Sequence, residues 1–279
     1  MHHRQTARLG DLDIAYLQWG QPDAPPVLLL HGLADHARVW QCLGEALADR
    51  YWLVAPDMPG HGRSSKPQGG YSSPDMIAVL EALMDHLGWA TAHVVSHSWT
   101  AKVTCIWATH HPQRLRSMVL VDPIFVYGLP GVLRVTFPLF YQLLPFLKGM
   151  GPFASQGEAV AQARTLKQYR DWTPWQQQVF MESIEPKSDG TWGSKFTVAA
   201  RNGIFFFFLR VPGLTQPVAV PTLFVQPQRG VNRFDWQLRP YRRYLTNLEI
   251  QTVPSHHWAF LGAPVEFNQL VAGFLDASS

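Results

Sequence analysis

Residues 92–101 read AHVVSHSWTA, and this stretch decides the fold that the sequence predicts. A run of β-forming residues ends at His97, and Ser98 follows it directly. We interpret the stretch as a buried strand that turns sharply into a helix, with Ser98 on the turn. Such a turn exposes the serine hydroxyl at the end of a strand, which suits a nucleophile.

The sequence around this serine departs from the usual pattern of such a turn, G-x-S-x-G, in which strand and helix approach closely. Ser96 and Thr100 stand in place of the two glycines. Thr100 is β-branched and must find room where a glycine normally lies. The same residues are compatible with Ser98 as an ordinary turn or N-cap serine. The rest of the chain has to decide between the two interpretations.

Strand-like and helix-like segments alternate along most of the chain. Short apolar runs typical of buried strands occupy residues 27–30, 51–55, 117–122 and 221–225. Helical spacing lies between or after them, and the alternation predicts βαβ units in an α/β fold with a mostly parallel sheet. Ligand sites in such sheets lie beyond the carboxyl ends of the strands. Four polar residues stand at such ends: His31, Asp57, Ser98 and Asp122.

The segment 124–216 breaks this alternation. It contains an apolar stretch, two stretches with helical spacing and an aromatic run, at residues 128–150, 155–169, 173–184 and 204–209. We predict an insertion of helices rather than more sheet. The predicted domains are a core of residues 1–123 and 217–279 and a helical cap of residues 124–216. The apolar side chains of the cap pack it onto the core, line a pocket over the site, or do both.

Composition and charge exclude several classes of function. The chain has 279 residues, of which 47% are hydrophobic and 15% charged, which is typical of a globular protein. The net charge is +3 and no basic run interleaves with aromatic residues, so we expect no nucleic-acid partner. Cys42 and Cys105 indicate neither a disulfide framework nor a zinc site.

The apolar stretches also predict where the protein works. The first residues lack an apolar core of signal-peptide length, and the longest apolar stretches are interrupted by Pro, Arg or Lys. We therefore expect a cytoplasmic protein with no integral membrane segment. The basic residues are scattered, so the sequence pI of about 8.9 does not predict membrane binding.

Four motifs together resemble the α/β-hydrolase family and occur in that family's order. They are HG at residues 31–32, DMPGHGRS at 57–64, SHSW at 96–99 and HHWAFLGAP at 256–264. The resemblance covers nearly the full chain. It implies an eight-stranded, mostly parallel sheet flanked by helices, with a helical cap inserted after the sixth strand. It also implies that Ser98 is a nucleophile served by a histidine base and an acid.

The resemblance assigns the base to His257. In family members the histidine precedes the final helix by a fixed interval to a proline, and counting back seven residues from Pro264 gives His257. The alternative is that His257 is a histidine of a surface loop. His97 is closer to Ser98 in sequence, but the strand direction turns its side chain away from the turn, so we interpret it as structural.

The acid departs from the common pattern of the family. Most members place an aspartate after the seventh strand, where this chain has Gly230, and Asp235 lies five residues later. A branch that resembles the haloalkane dehalogenases uses the end of the sixth strand instead. Asp122 stands there, 24 residues after Ser98, which is the spacing of that branch. We favour Asp122 over Asp235 because the common position is empty.

The resemblance completes the predicted site with two backbone N–H groups, those of Leu33 and Trp99, as oxyanion donors. The sequence thus predicts a serine hydrolase that cleaves a carboxylic ester, or a related acyl bond, of a small lipophilic substrate through an acyl-enzyme. Neither a cofactor nor a metal is required. The alternatives are a thioesterase, a carbon–carbon bond hydrolase or a perhydrolase with the same triad, a lyase that forms no acyl-enzyme, and a non-enzymatic protein that binds an apolar ligand.

Overall fold

The computed structural model describes residues 3–124, 126–127 and 150–278. Ten strands lie in these residues: β1 (His3–Leu9), β2 (Leu12–Trp19), β3 (Pro26–Leu30), β4 (Trp52–Pro56), β5 (Ala92–His97), β6 (Leu115–Val121), β7 (Ile184–Pro186), β8 (Trp192–Ser194), β9 (Thr222–Arg229) and β10 (Leu248–His256). Eight of them form one sheet in the order β1-β2-β4-β3-β5-β6-β9-β10. β2 is antiparallel to β1 and β4, and the other pairs are parallel. The predicted α/β fold with a mostly parallel eight-stranded sheet is confirmed.

Helices cover both faces of this sheet. The described ranges contain α1 (Gln41–Leu47), α2 (Ser73–His86), α3 (Trp99–His110), α4 (Gln156–Ala163), α5 (Pro174–Ser183), α6 (Val198–Phe208), α7 (Asp235–Tyr244), α8 (Ala259–Gly262) and α9 (Pro264–Ala277). Side chains of α2, α3 and α7 pack in one apolar cluster, and those of α1 and α9 in another. Val94 of β5 belongs to the first cluster and Val95 to the second. β5 is buried along its whole length because both faces of a central strand are covered.

Two elements of the core were missed by the sequence analysis. β1 reads HRQTARL, and Ala7 is its one buried residue, so this edge strand lacks an apolar pattern. Gly10, with φ of 57°, turns β1 back onto β2. α7 is rich in arginine and contains Pro240, which normally disfavours a helix interior. Neither element carries the signal of a buried segment.

The segment predicted as a cap holds α4, α5 and α6 and also the strands β7 and β8. These two strands pair as an antiparallel hairpin, so the prediction of helices without any sheet is wrong in this respect. The five residues between them read KSDGT, and Gly190 adopts φ of 83°, a conformation that favours glycine at a hairpin turn. The apolar stretch 128–150 lies outside the described residues except for Met150. The domain boundaries stay a prediction.

No helix in the described ranges combines the length and the apolar character needed to cross a membrane. No group of three or more His, Cys, Asp and Glu side chains in the same ranges is arranged to hold a metal ion. Cys42 and Cys105 are both free thiols.

Candidate active site

Ser98 lies on a sharp turn between β5 and α3, at the carboxyl edge of the sheet. Its φ is 61° and its ψ is −115°, which is a strained conformation for a residue with a side chain. The backbone of the neighbouring strand end holds this turn. The Ser98 N–H donates to the Val121 carbonyl at 3.0 Å, and the Ile124 N–H donates to the Ser98 carbonyl at 3.4 Å. The serine is 5% exposed, so its hydroxyl is directed into a covered site.

The two residues that replace the usual glycines are accommodated by hydrogen bonds to the strands. Thr100 is fully buried, and its Oγ1 lies 3.1 Å from the carbonyls of both Leu30 and His31. The threonine hydroxyl therefore lies against the end of β3, where it can donate to only one acceptor at a time. Ser96 is also fully buried, with its Oγ 3.4 Å from the Val119 carbonyl.

Ser98, His257 and Asp122 come together although 159 and 135 residues separate His257 from its two partners. The Nε2 atom of His257 lies 3.0 Å from the Ser98 Oγ. The Nδ1 atom of the same ring lies 2.6 Å from the Asp122 Oδ2. A carboxylate accepts, so Nδ1 carries the ring proton and Nε2 is left as an acceptor for the serine hydroxyl.

Asp122 is fully buried at the end of β6, and three further donors fix its carboxylate. The Val231 N–H donates to Oδ2 at 2.8 Å, while the N–H and the Nδ2 of Asn232 reach Oδ1 at 3.1 and 2.9 Å. Asn232 also donates to the Pro123 carbonyl at 2.6 Å. The sequence analysis missed Asn232, since no motif marks it. The feature that could have indicated Asn232 is its position, two residues after Gly230, where most family members carry their acid.

The alternative acid, Asp235, lies away from this arrangement. It is the first residue of α7, is exposed, and pairs with Arg242 at 3.3 Å. Gly230 leaves space for Asp122, because a Cβ atom on residue 230 would lie 2.4 Å from the Asp122 Oδ2. The structure therefore brings Asp122, and not Asp235, to His257.

Leu33 and Trp99, predicted to supply oxyanion donors, follow the ends of β3 and β5. β3 and β5 are parallel neighbours, with Leu30 opposite Ser96, so both strands end at the same edge of the sheet. Trp99 is the first residue of α3, where a helical N–H has no acceptor within the helix. Its indole ring is buried and stacks on His61, with ring centroids 5.9 Å apart.

Asp57, the fourth polar residue predicted at a strand end, supports loops instead of facing Ser98. Its carboxylate accepts from the N–H groups of Ala37 at 2.7 Å and Arg63 at 2.8 Å. His31 is fully buried beside it and accepts from the Met58 N–H at 3.0 Å. Burial lowers the pKa of His31 to about 4, so its ring is neutral and structural.

Several contacts attach the segment predicted as a cap to the rest of the chain. Glu182 of α5 accepts hydrogen bonds from Arg4 and, at 3.1 Å, from Arg38, and Arg63 lies 3.6 Å away. On the other side, the buried Lys102 of α3 donates to the Phe208 carbonyl at the end of α6, at 2.6 Å. The predicted cap segment is thus bound to the core by the side chains of Glu182 and Lys102.

A small cavity is lined by residues of the predicted core and of the predicted cap segment: Leu33, Ala34, Met150, Leu166, Gln168, Tyr169, Phe180, Ser183, Ser194 and Trp258. Its volume is about 30 Å³, enough for a group the size of a water molecule. Leu33 and Trp258, the neighbour of His257, both line it, so the cavity lies beside the loops of the predicted site.

The sheet order and the strained turn after β5 define an α/β protein of the hydrolase class. A family model described as alpha/beta hydrolase fold matches residues 25–247, and the chain belongs to this family.

Curated relatives match part of the chain. The dihydrolipoyllysine-residue acetyltransferase component of the acetoin cleaving system of Cupriavidus necator is 36% identical over 120 residues, or 43% of this chain and 32% of the relative. A haloalkane dehalogenase of Bradyrhizobium diazoefficiens is 28% identical over 127 residues, or 46% of this chain and 40% of the relative. The chain thus spans about a third to two fifths of the length of these relatives.

Solved structures match over almost the whole chain. E-2-(acetamidomethylene)succinate hydrolase superposes with a TM-score of 0.81 and 20% identity, covering 99% of this chain and 100% of that one. The enol-lactonase from Burkholderia xenovorans LB400 gives a TM-score of 0.71 and 18% identity, covering 98% and 100%. At this identity the likeness establishes the fold.

Proposed function

We propose that the protein is a serine hydrolase that cleaves a carboxylic ester, or a related acyl bond, of a small lipophilic substrate. The observation that carries the proposal is the pair of hydrogen-bond contacts made by His257, at 3.0 Å to Ser98 and 2.6 Å to Asp122. A serine hydroxyl is a weak nucleophile near neutral pH and needs a base at this distance.

In the proposed reaction the Ser98 Oγ attacks the carbonyl carbon of the substrate, and His257 Nε2 takes the hydroxyl proton. The tetrahedral oxyanion accepts from the N–H groups of Leu33 and Trp99. His257 returns the proton to the leaving alcohol, which leaves an acyl-enzyme on Ser98. His257 then removes a proton from water, whose oxygen bonds to the acyl carbon. The bond from that carbon to the Ser98 Oγ breaks, His257 returns the proton to the Oγ, and the carboxylic acid leaves.

Asp122 has an orienting role in this proposal. Its carboxylate holds the proton on Nδ1 of His257 and stabilises the imidazolium that forms during each step. The three donors from Val231 and Asn232 keep Oδ2 directed at the ring. A serine at residue 98 also favours acyl transfer over the chemistry of an aspartate nucleophile, although relatives include proteins named haloalkane dehalogenase and soluble epoxide hydrolase.

The aromatic contacts between core and cap support a lipophilic substrate. His61 stacks on both Trp99 and Phe196, and Tyr169 and Phe180 of the cap line the cavity beside Leu33. Pockets for small apolar ligands have such linings. The cavity is smaller than an acyl chain, so substrate entry in this proposal displaces cap side chains. The free thiols of Cys42 and Cys105 support the proposed cytoplasmic location.

Fluorophosphonate labelling followed by peptide mass mapping tests the proposal. We expect one label on Ser98 in the wild type and none in Ser98→Ala. A panel of p-nitrophenyl esters from acetate to dodecanoate tests the substrate class, with faster turnover expected for the longer chains. A folded wild-type protein that takes no label would exclude the acyl-enzyme, and a preference for acetate would exclude the lipophilic acyl chain.

A further inference from the structure

His97, the residue before the nucleophile, contacts the backbone of the proposed base. Its ring is 1% exposed, and its Nε2 lies 3.0 Å from the carbonyl oxygen of His257. A carbonyl only accepts, so Nε2 carries a proton. In the neutral ring Nδ1 is therefore an acceptor, and among the described residues it has no hydrogen-bond partner.

The group that faces this Nδ1 atom is the carboxyl of Asp35, whose Oδ2 lies 3.8 Å away. Asp35 is 4% exposed and lies two residues after Leu33. Its Oδ2 also accepts from the Trp258 Nε1 at 3.2 Å. Two acceptors that face each other in a buried site repel, so this pair needs one shared proton.

The environment favours Asp35 as the holder of that proton. Burial raises the pKa of Asp35 to about 7, and burial lowers the pKa of His97 well below its usual value. The 3.8 Å separation is longer than a hydrogen bond, so a protonated Oδ2 donates to His97 Nδ1 once the two side chains close by about half an ångström, and it still accepts from Trp258.

The pair lies where three parts of the proposed site meet. A Cβ atom on Gly32 would lie 2.4 Å from His97 Nδ1 and 3.0 Å from Asp35 Oδ2, so the pair packs directly on the backbone that leads to Leu33. His97 precedes Ser98 in the chain. Its ring also lies 4.5 Å from the ring of His257, measured between centroids.

We propose that Asp35 is a positioning residue which, as a neutral carboxylic acid, donates to His97 Nδ1 and so fixes the ring that donates to the His257 carbonyl. The base is then held from two sides, by Asp122 on its ring and by the Asp35–His97 pair on its backbone. This inference rests on the proposed serine-hydrolase function.

The proposal has a pH dependence with a definite sign. The titratable groups that face Asp35 and His97 are His257 and His256 from the loop around the end of β10, Tyr169 from the cap, and His31 from the end of β3. Below about pH 7 Asp35 is protonated and donates to His97. Above that pH the carboxyl loses its proton, and the hydrogen bond to His97 Nδ1 is lost.

The test compares Asp35→Asn, whose NH2 keeps a donor toward His97 at every pH but gives up the hydrogen bond from Trp258, with Asp35→Ala, which has neither donor nor acceptor. The measurement is the rate of fluorophosphonate labelling of Ser98 between pH 5.5 and 9. We expect Asp35→Ala to be slower by about tenfold and Asp35→Asn to stay within about threefold of the wild type at pH 6. The ratio of the Asp35→Asn rate to the wild-type rate should rise as the pH passes through about 7.

Ser255→Ala is the matched control, because Ser255 is buried in β10 and its Oγ has no hydrogen-bond partner in the described ranges. We expect it to label at the wild-type rate. A second measurement does not depend on activity. It is the low-field proton resonance of the His257 Nδ1–H, which should stay sharp in Asp35→Asn and broaden in Asp35→Ala.

Three results would overturn the proposal. One is a folded Asp35→Ala with the wild-type rate and resonance, and another is an equal loss of rate in both Asp35 variants. The third is a ratio of the Asp35→Asn rate to the wild-type rate that does not change with pH. This result overturns the proposal even if Asp35→Ala does not fold. If wild-type Ser98 takes no label, the proposed function fails, and the resonance still reports on Asp35.

Discussion

The Asp122 carboxylate occupies the space into which a side chain on Gly230 would project. A Cβ atom on residue 230 would lie 2.4 Å from Oδ2 and 2.9 Å from Oδ1, both closer than real contacts allow. A side chain at residue 230 therefore requires the Asp122 carboxylate to move from its present position. The glycine at residue 230 is the structural counterpart of an aspartate at residue 122.

Removing the charge of Asp122 should slow the reaction. In Asp122→Asn the ring proton of His257 is no longer held on Nδ1 by a carboxylate, and we expect labelling of Ser98 to fall about 10³- to 10⁴-fold. Asp235→Asn is the control, because Asp235 is exposed and pairs with Arg242. Equal rates in Asp122→Asn and the wild type would exclude Asp122 as the acid.

Filling the space at residue 230 should have a similar effect by a different route. Gly230→Ala places a methyl group against the Asp122 carboxylate and should push it away from His257, so we expect labelling to slow by at least about tenfold. Gly273→Ala is the control, because a Cβ atom there meets nothing within 4 Å. The double variant Gly230→Asp with Asp122→Gly should recover part of the lost rate, and no recovery would argue against the exchange of the two positions.

The contacts of Glu182 should hold the cap at neutral pH and release it in acid. Burial alone would raise the pKa of Glu182, but His36, Arg4 and Arg38 outweigh it and lower the pKa below its usual value. The stabilisation is therefore present above the unfolded-state pKa and is lost as the pH falls through the lower folded-state pKa. We expect Glu182→Gln to reduce the free energy of cap opening by about 2 kcal/mol at pH 7.

Hydrogen exchange of α4 and α5 measures this change. Glu185→Gln is the control, because Glu185 lies on the adjacent hairpin and is more exposed than Glu182. Unchanged protection of both helices in Glu182→Gln would show that its ion pairs do not hold the cap.

Lys102 should make the stability of the protein rise with pH. Burial lowers its pKa from 10.5 to about 7 in the folded state, so the unfolded chain binds the proton more tightly between those values. Stability then increases as the pH rises from about 7 toward 10.5. Lys102→Met keeps most of the side-chain volume and removes the protonation of residue 102 that makes stability depend on pH. Tm measured from pH 7 to 9 should therefore rise in the wild type relative to Lys102→Met, and parallel curves would contradict the assignment.

Part of the fold and of the site followed from local patterns. The central strands were predicted because burial on both faces requires continuous apolar runs. The turn at Ser98 and the spacing of Asp122 and His257 were visible as motifs in a fixed order. β1 and α7 were missed because an edge strand and an arginine-rich helix bury few side chains.

The sequence by itself determined the α/β architecture and the residue types that carry the proposed chemistry, because both depend on periodicity and on short motifs. Only the tertiary structure decided which acid faces His257, and why residue 230 is a glycine. It alone brought Asn232 to Asp122 and Asp35 to His97. The Asn232–Asp122 and Asp35–His97 contacts join residues that are up to 110 positions apart. Their geometry arises when parallel strands end at one edge of the sheet.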